Sequence, residues 1–475
     1  MIGAACVVLT AAGTARSAPP SFTPPVSFPA GDGPRGIALG DVNRDGHLDV
    51  VVADYGPDQD PGRFLTLLLG NGDGTLRPPV ALPVDQGPFA VALADLDGNG
   101  TVDIAAAGFW SDVVDVLAGN GDGTFQPGVR WVTGHAPASV AIADLNRDGR
   151  PDLVTANRAT GAALGSVSVL MNAGGTFPSH AELLAGNDPA GVVATDLTGD
   201  GIPDVATANR LSGDVATLVG LGDGSFRQPA GRFGSGPLTR ALAVADVNND
   251  GAPDVVTVNN GGDSASVLLG TGPAGLRPTL SVAAGGGPAG VAAGDLNGDG
   301  KADVAVADFT SGGVSVLAGN GDASFAPAIQ IPTGPESFGV AVGDMNGDGR
   351  PDVVVGNRGS GTVSVLLNTT RFPPPVVTTR PAVRVTSKAA RLRAYVDAHG
   401  IATTYRFQWG TSRRYGKMTK AGKVAAVVGR RTVAAVLPRL RPGTTYHFRI
   451  MAETSLGGIA MGRDHVLHTA RLARK

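Results

Sequence analysis

The chain is 475 residues long, too long for one hydrophobic core, and its 71 Gly and 34 Pro, together about 22% of positions, point to many short strands and turns. Hydrophobic residues at 42% and charged residues at 17% exclude a disordered polyelectrolyte, no apolar run reaches the roughly 18 residues of a spanning helix, and a single Cys excludes a disulfide framework or a Cys-based zinc site. The net charge of −3 divides unevenly: residues 371–475 hold 21 Lys+Arg and 3 Asp+Glu, or +18, while residues 1–370 hold 17 and 38, or −21.

Residues 1–18 are small and apolar and lead to Ala15-Arg16-Ser17, the small-x-small form of a signal-peptidase site. The segment is expected to be an export signal lacking its basic start, so the protein is expected to be secreted, extracellular or surface-associated. Cys6 is a poor lipoprotein anchor because Gly3 stands where a Leu-like residue is wanted.

From residue 22 to 370 one unit recurs seven times. Its signature is a nonapeptide beginning at Asp41, Asp95, Asp144, Asp196, Asp246, Asp295 and Asp344, spaced by 54, 49, 52, 50, 49 and 49 residues. Position 3 is Asn43, Asp97, Asn146, Thr198, Asn248, Asn297 and Asn346; position 5 is Asp45, Asn99, Asp148, Asp200, Asp250, Asp299 and Asp348. Position 7 varies (His47, Thr101, Arg150, Ile202, Ala252, Lys301, Arg350), and position 9 is always Asp: Asp49, Asp103, Asp152, Asp204, Asp254, Asp303 and Asp352. Apolar runs of four to eight residues bounded by Gly and Pro flank each nonapeptide and read as buried strands, four to a unit, which is one propeller blade. The last unit stops without a fourth segment, while residues 22–31 match the fourth segments elsewhere, so the N-terminus is expected to complete the seventh blade and remove the open sheet edges.

The repeated DxNxDGxxD between apolar strands, with a downstream GNGDGTF, resembles the FG-GAP/VCBS repeats of integrin alpha-chain propellers and their bacterial relatives. The resemblance implies that the nonapeptide binds calcium in the loop joining the first two strands of a blade. Calcium takes six to eight oxygens, and acidic or amide residues at positions 1, 3 and 5 of a tight loop can converge on it. Position 6 is Gly in all seven, as a sharp turn needs; position 7 can offer its carbonyl and position 9 can close the shell. An EF-hand fails, because the twelfth positions, such as Val52, Ala106 and Thr155, sit in strand-like runs instead of carrying Glu. A purely hydrogen-bonded Asx turn leaves three carboxylates crowded together in every copy. Up to seven Ca²⁺ are expected, with the Thr198 loop weakest. The NGDGT segments at 71–75 and 120–124 read as hairpin turns.

Residues 371–380 are expected to be a Pro-rich linker. Beyond it Tyr405, Phe407 and Trp409 alternate with Arg406 and Gln408, and Tyr446, Phe448 and Ile450 with His447 and Arg449, the pattern of half-buried sandwich strands. Residues 381–470 resemble a fibronectin type III domain, with Tyr446 after Leu-x-Pro-Gly similar to a tyrosine corner and Trp409 assigned to the core. The expected fold is therefore all-β, a seven-bladed β-propeller followed by a fibronectin type III-like β-sandwich.

No nucleophile elbow, zinc-protease helix motif or phosphate-binding loop occurs, so the chain is read as no enzyme. The leading function is an adhesion or recognition module for an extracellular glycan or protein, with calcium mainly structural; the alternative is a polysaccharide lyase or hydrolase on a propeller scaffold. Ligand contacts are expected where units depart from consensus on the face opposite the calcium loops: Tyr55, Asp58, Arg63, Trp110 and Glu336, beside Asp54, Asp60 and the insertion at 159–165. The basic C-terminal part is a candidate for an anionic cell-wall polymer; nothing specifically indicates nucleic acid.

Overall fold

The computed structural model describes residues 19–471 apart from 58–60, 159–163, 179, 228–230, 273–274, 371–373, 400, 426–428 and 455–457. The expected export signal, Asp58, Asp60 and most of the 159–165 insertion lie outside the described residues. Every element among the described residues is a β-strand.

Each nonapeptide joins a seven-residue strand to a six-residue strand that starts on its position-9 Asp. In the first unit these are Pro34–Gly40 and Asp49–Asp54, followed by Phe64–Leu68 and Val80–Pro83. The second strand is buried at all six positions in every unit, which is why its sequence is continuously apolar where a half-exposed strand would alternate. In five units the fourth strand has only three or four residues, mostly exposed in Val80–Pro83 and Val129–Val132, whereas His180–Gly186 and Leu276–Ala283 run to seven and eight.

Seven four-stranded antiparallel sheets result. Six are contiguous in sequence. The seventh combines Ser337–Gly343, Asp352–Asn357 and Thr362–Leu366 with Val26–Pro29, paired from Val26 opposite Val365 to Pro29 opposite Thr362. The seam extends through Thr23 N–H to the Leu367 carbonyl (2.8 Å) and Ser21 N–H to Thr370 Oγ1 (2.8 Å). Each first strand packs against the first strand of the next sheet, and Ser337–Gly343 packs against Pro34–Gly40, so the circuit closes. The first strands are rich in Gly and Ala because they approach closely there: a Cβ on Gly339 would run into the Arg35 carbonyl.

Residues 376–471 form two further sheets. One has three strands, Val376–Val383, Ala390–Asp397 and Arg430–Leu437; the other is built on Thr403–Gly410 paired with Thr445–Thr454, with four short strands at its margins. Leu392, Phe407, Phe448 and Ile450 are fully buried in their common core, and Trp409 packs at its edge, 5.8 Å from Tyr446. The Tyr446 hydroxyl accepts the Arg441 N–H at 2.9 Å. The linker expected over 371–380 is too long: a strand begins at Val376, because the β-branched run Val-Val-Thr-Thr pairs with Ala394–Asp397 and overrides the Pro signal before it.

Candidate metal centres and the channel face

The seven nonapeptides adopt one geometry. Position-6 glycines all have positive φ, from 79° at Gly300 to 88° at Gly251. Position 4 does too, with Gly at four loops but Arg44, Arg147 and Asn249 at 58–62° in the others. One oxygen of the position-1 Asp accepts the position-6 N–H at 2.7–2.9 Å in every loop. Oδ1 of position 5 accepts the position-7 N–H at 2.6–3.1 Å, an Asx turn that frees the position-7 carbonyl from any side-chain requirement.

Position 9 does more than the sequence suggested. Its Oδ2 accepts the position-2 N–H at 2.7–3.0 Å, and its Oδ1 accepts the first N–H of the turn after the third strand at 2.7–2.9 Å. All seven are 0–1% exposed. Each therefore ties its loop to a turn one hairpin away, whatever else it binds.

In the second loop, carboxylate oxygens of Asp95, Asp97 and Asp103 lie within 4.8 Å of one another, so positions 1, 3 and 9 meet at one point. Among the described residues no other trio of acids meets at that spacing: in the other loops position 3 is Asn or Thr, and the third acid, at position 5, is turned toward the position-7 N–H. Burial raises the position-9 carboxyls despite their backbone donors, Asp303 to about 7 and Asp352 to about 6. Asp49, Asp103, Asp152, Asp204 and Asp254 shift the same way for the same reason. In the fourth loop the Thr198 N–H donates to Asp204 Oδ2 at 3.0 Å. The Asp of the NGDGT-type turns is committed locally: Asp73 Oδ1 accepts both the N–H (2.9 Å) and hydroxyl (2.6 Å) of Thr75, as Asp122 does from Thr124.

The opposite ends of the sheets surround a central channel. The residue before each first strand has positive φ: Gly33, Gly87 and Gly287 at three places, but Ala136, Asp188, Leu238 and Glu336 at the other four. The second residue of each first strand borders the channel. Arg35, Phe89 and Phe338 stand together on one side, and Ala138, Ala190, Arg240 and Ala289 complete the ring. Directly after the second strands come Tyr55, Phe109, Arg158, Arg210, Asn260, Phe309 and Arg358. Asp188 accepts from Arg158 and Arg210, each at 2.6 Å, and Glu336 pairs with Arg358 at 2.9 Å.

The expected contact residues separate here. Tyr55 is corrected: it is 4% exposed, its ring face covered by the Arg35 guanidinium at 3.8 Å and its surroundings filled by Phe89 and Phe109, so no sugar can stack on it. Trp110 is 49% exposed and leans on Phe109. Arg63 is exposed, and Asp54 is buried, with its carboxyl pushed up to about 8 and its Oδ2 accepting from the Thr66 hydroxyl at 2.6 Å. Sequence reading missed Arg35, Asp188, Arg240 and the three arginines after second strands. The last carried a signal, since Ala-Asn-Arg occurs at 156–158 and 208–210 and Gly-Asn-Arg at 356–358.

A family model described as an FG-GAP-like repeat matches residues 41–106, 103–155, 196–257, 246–306 and 295–355, more than half of the chain. No curated protein matches. Among solved structures, hydrazine synthase of Kuenenia stuttgartiensis is similar over 71% of this chain and 96% of that one, at 14% identity and a TM-score of 0.50, a likeness of fold. A functionally unknown protein of Desulfotomaculum acetoxidans aligns over 65% of this chain and 96% of its own at 11% identity and a TM-score of 0.44. The sensor domain of the anti-sigma factor RsgI4 of Pseudobacteroides cellulosolvens aligns over 22% of this chain and 100% of its own, at 16% identity and a TM-score of 0.18.

Proposed function

The chain belongs to the FG-GAP-like repeat family, and from that premise we propose that it is a secreted, calcium-stabilised, seven-bladed β-propeller over residues 22–370, followed by a fibronectin type III-like sandwich, acting as a recognition or adhesion module. The observation that carries the metal reading is the set of seven fully buried position-9 carboxylates, each beside a second Asp at position 1. Burial without a counter-charge drives such groups toward the neutral acid, and a divalent cation removes that penalty. The donor set suits calcium: carboxylates at positions 1 and 9, carboxylate or amide oxygens at 3 and 5, a carbonyl at 7, and no nitrogen or sulfur. Asp41, Asn43, Asp45, Asp49 and the His47 carbonyl would hold the ion in the first loop, and the equivalent residues in the others. The ion supplies a fixed double positive charge that holds the loop closed; the reading involves no catalytic step.

Calcium binding by the folded state alone adds about 2.7 kcal/mol per site at a concentration 100 times Kd. Chelator is therefore expected to lower the melting temperature by more than about 10 °C, and calcium, but not equimolar magnesium, to restore it. A melting temperature indifferent to both would overturn the metal reading.

Recognition is assigned to the channel end of the sheets, where the units differ from one another, with Trp110 and Arg63 as exposed contacts. A glycan array probed with and without calcium tests it: saturable binding without turnover supports the module, and hydrolysis or elimination products support an enzyme. The C-terminal sandwich is proposed to hold the protein on an anionic polymer. Arg380, Arg391, Arg393 and Arg430 are exposed on neighbouring strands of its three-stranded sheet, with Arg380 and Arg430 both against the Tyr395 ring. Retention on heparin at physiological salt, weakening as salt rises, is the expected result.

A further inference from the structure

The mouth of the central channel has two unlike walls. On one, the Arg35 guanidinium is enclosed by rings, 3.8 Å from Tyr55, 4.4 Å from Phe89 and 4.8 Å from Phe338. On the other, Ala138 and Ala190 stand where those strands would carry rings, and the space they leave is faced by Arg158, Arg210 and Arg240. Asp188 neutralises only part of that wall: it takes Nε of Arg210 and both Nε and an Nη of Arg158. Arg240 has no ion pair among the described residues; its guanidinium lies 4.5 Å over the Phe338 ring. The walls enclose about 200 Å³.

Three guanidiniums in a confined, partly desolvated space, with one carboxylate among them that pairs with only two, are unfavourable unless an anion joins them. Desolvation, and then repulsion by Arg158, Arg210 and Arg358, lowers the pKa of Arg240 to about 10. The Arg240 fork and the Nη groups of Arg210 are donors suited to a planar carboxylate, which two-pronged guanidinium contacts recognise best. The Phe338 ring is 7% exposed and lies under the Arg240 and Arg35 guanidiniums, so the apolar surface beside the charge is the side lined by Ala138 and Ala190. The volume admits a group of about one ring.

We propose that the channel mouth binds a small organic acid, its carboxylate held by Arg240 and Arg210 and its apolar body in the space beside Ala138 and Ala190. A bare inorganic anion would satisfy the guanidiniums and leave the alanine-lined space unfilled; a neutral ring would fill that space and leave the charges unmatched. The site deepens the recognition reading by giving the channel end a ligand chemistry.

The test uses the full chain, calcium-loaded, with benzoate as probe and binding followed by calorimetry. Saturable binding with Kd near or below about 1 mM is expected, with benzyl alcohol and inorganic sulfate at least ten-fold weaker. Arg240→Met keeps the packing volume and is expected to weaken benzoate at least ten-fold; Arg240→Lys, which keeps charge but not the fork, at least three-fold. Arg413→Met, in the C-terminal part, leaves binding unchanged. If Arg240→Met does not fold, the Lys variant and the benzyl alcohol comparison decide. Equal binding of benzoate and benzyl alcohol, undiminished binding in the Arg240 variants, or no saturation at all overturns the site. A calcium-loaded protein that melts normally but ignores benzoate sinks this proposal alone, whereas a melting temperature indifferent to chelator sinks the metal reading and leaves this site standing.

Discussion

The two ends of the same sheets obey the same repeat and are used in opposite ways. At the loop end, seven copies converge on one hydrogen-bond pattern, down to both oxygens of every position-9 Asp. At the channel end, one strand register holds Arg35, Phe89, Ala138 and Ala190 in successive sheets. Repetition marks what every sheet needs in order to fold. Departure from repetition marks where the ring needs unlike walls, and a symmetric channel has no way to orient an unsymmetrical ligand.

The comparison breaks most severely at position 9. If that Asp were only a metal ligand, Asp204→Ala would cost less than Asp254→Ala, because the Thr198 loop offers calcium a poorer third position. Its backbone hydrogen bonds predict comparable losses of about 4 kcal/mol each, since either substitution orphans two buried N–H groups and Asp204→Ala also frees the part-buried Thr198 N–H, so its loss should be no smaller. Denaturant unfolding of both variants in calcium decides, and an Asp204→Ala loss smaller by more than about 1.5 kcal/mol returns position 9 to a purely ligating role. The next largest effect is at the channel wall. Gly339→Ala is expected to cost about 3 kcal/mol because the new methyl meets the Arg35 backbone, which cannot move as a side chain would. An unchanged midpoint would mean that the first strands are looser at the axis than their packing implies.

Asp54 sharpens the contrast through pH. It ends a second strand where other units place Asn157, Asn209, Asn259 or Asn357, and its folded-state carboxyl is raised to about 8 against an unfolded value of 3.8. The folded protein therefore holds a proton that the unfolded chain releases, and stability falls as pH rises from about 4 to about 8. Asp54→Asn removes that penalty while still accepting from Thr66. It is expected to be near neutral at pH 4.5 and to stabilise by on the order of 2 kcal/mol at pH 8. Melting curves at the two pH values check the sign, and a loss at pH 8 would refute it.

Much of this was legible in the sequence for a physical reason. The four-strand unit follows from apolar runs punctuated by Gly and Pro, and the position-6 glycines announce positive φ wherever they occur. The pairing of Val26–Pro29 with the last three-stranded remnant follows from counting segments. What stayed hidden depends on contacts between distant parts of the chain. The second partner of each position-9 Asp lies 16 to 21 residues downstream. Tyr55 reads as an exposed loop aromatic until Phe89 and Phe109 of the next sheet close over it. Arg158 and Arg210 share the Ala-Asn-Arg pattern, but Arg240 comes from a third sheet and no local pattern joins it to them.

The smallest effect lies at Glu336, and its smallness is the point. The residue holds φ at 53°, in a turn that uses Gly at three equivalent places, and its side chain, 42% exposed, pairs with Arg358. Glu336→Gly relieves backbone strain of about 1 kcal/mol, but it also loosens the unfolded chain and loses an ion pair worth under about 1 kcal/mol at that exposure. These terms nearly cancel, so stability should change by less than about 0.5 kcal/mol. Binding should not be neutral in the same way. Removing a carboxylate beside the arginines makes the channel mouth more positive, and benzoate should bind up to about three-fold tighter, an advantage that fades as salt rises. A residue kept in a strained turn, with little effect on stability and a measurable effect on anion affinity, is set there for the channel; a stability loss beyond about 1.5 kcal/mol with unchanged affinity would mean instead that the Glu336–Arg358 pair holds the turn.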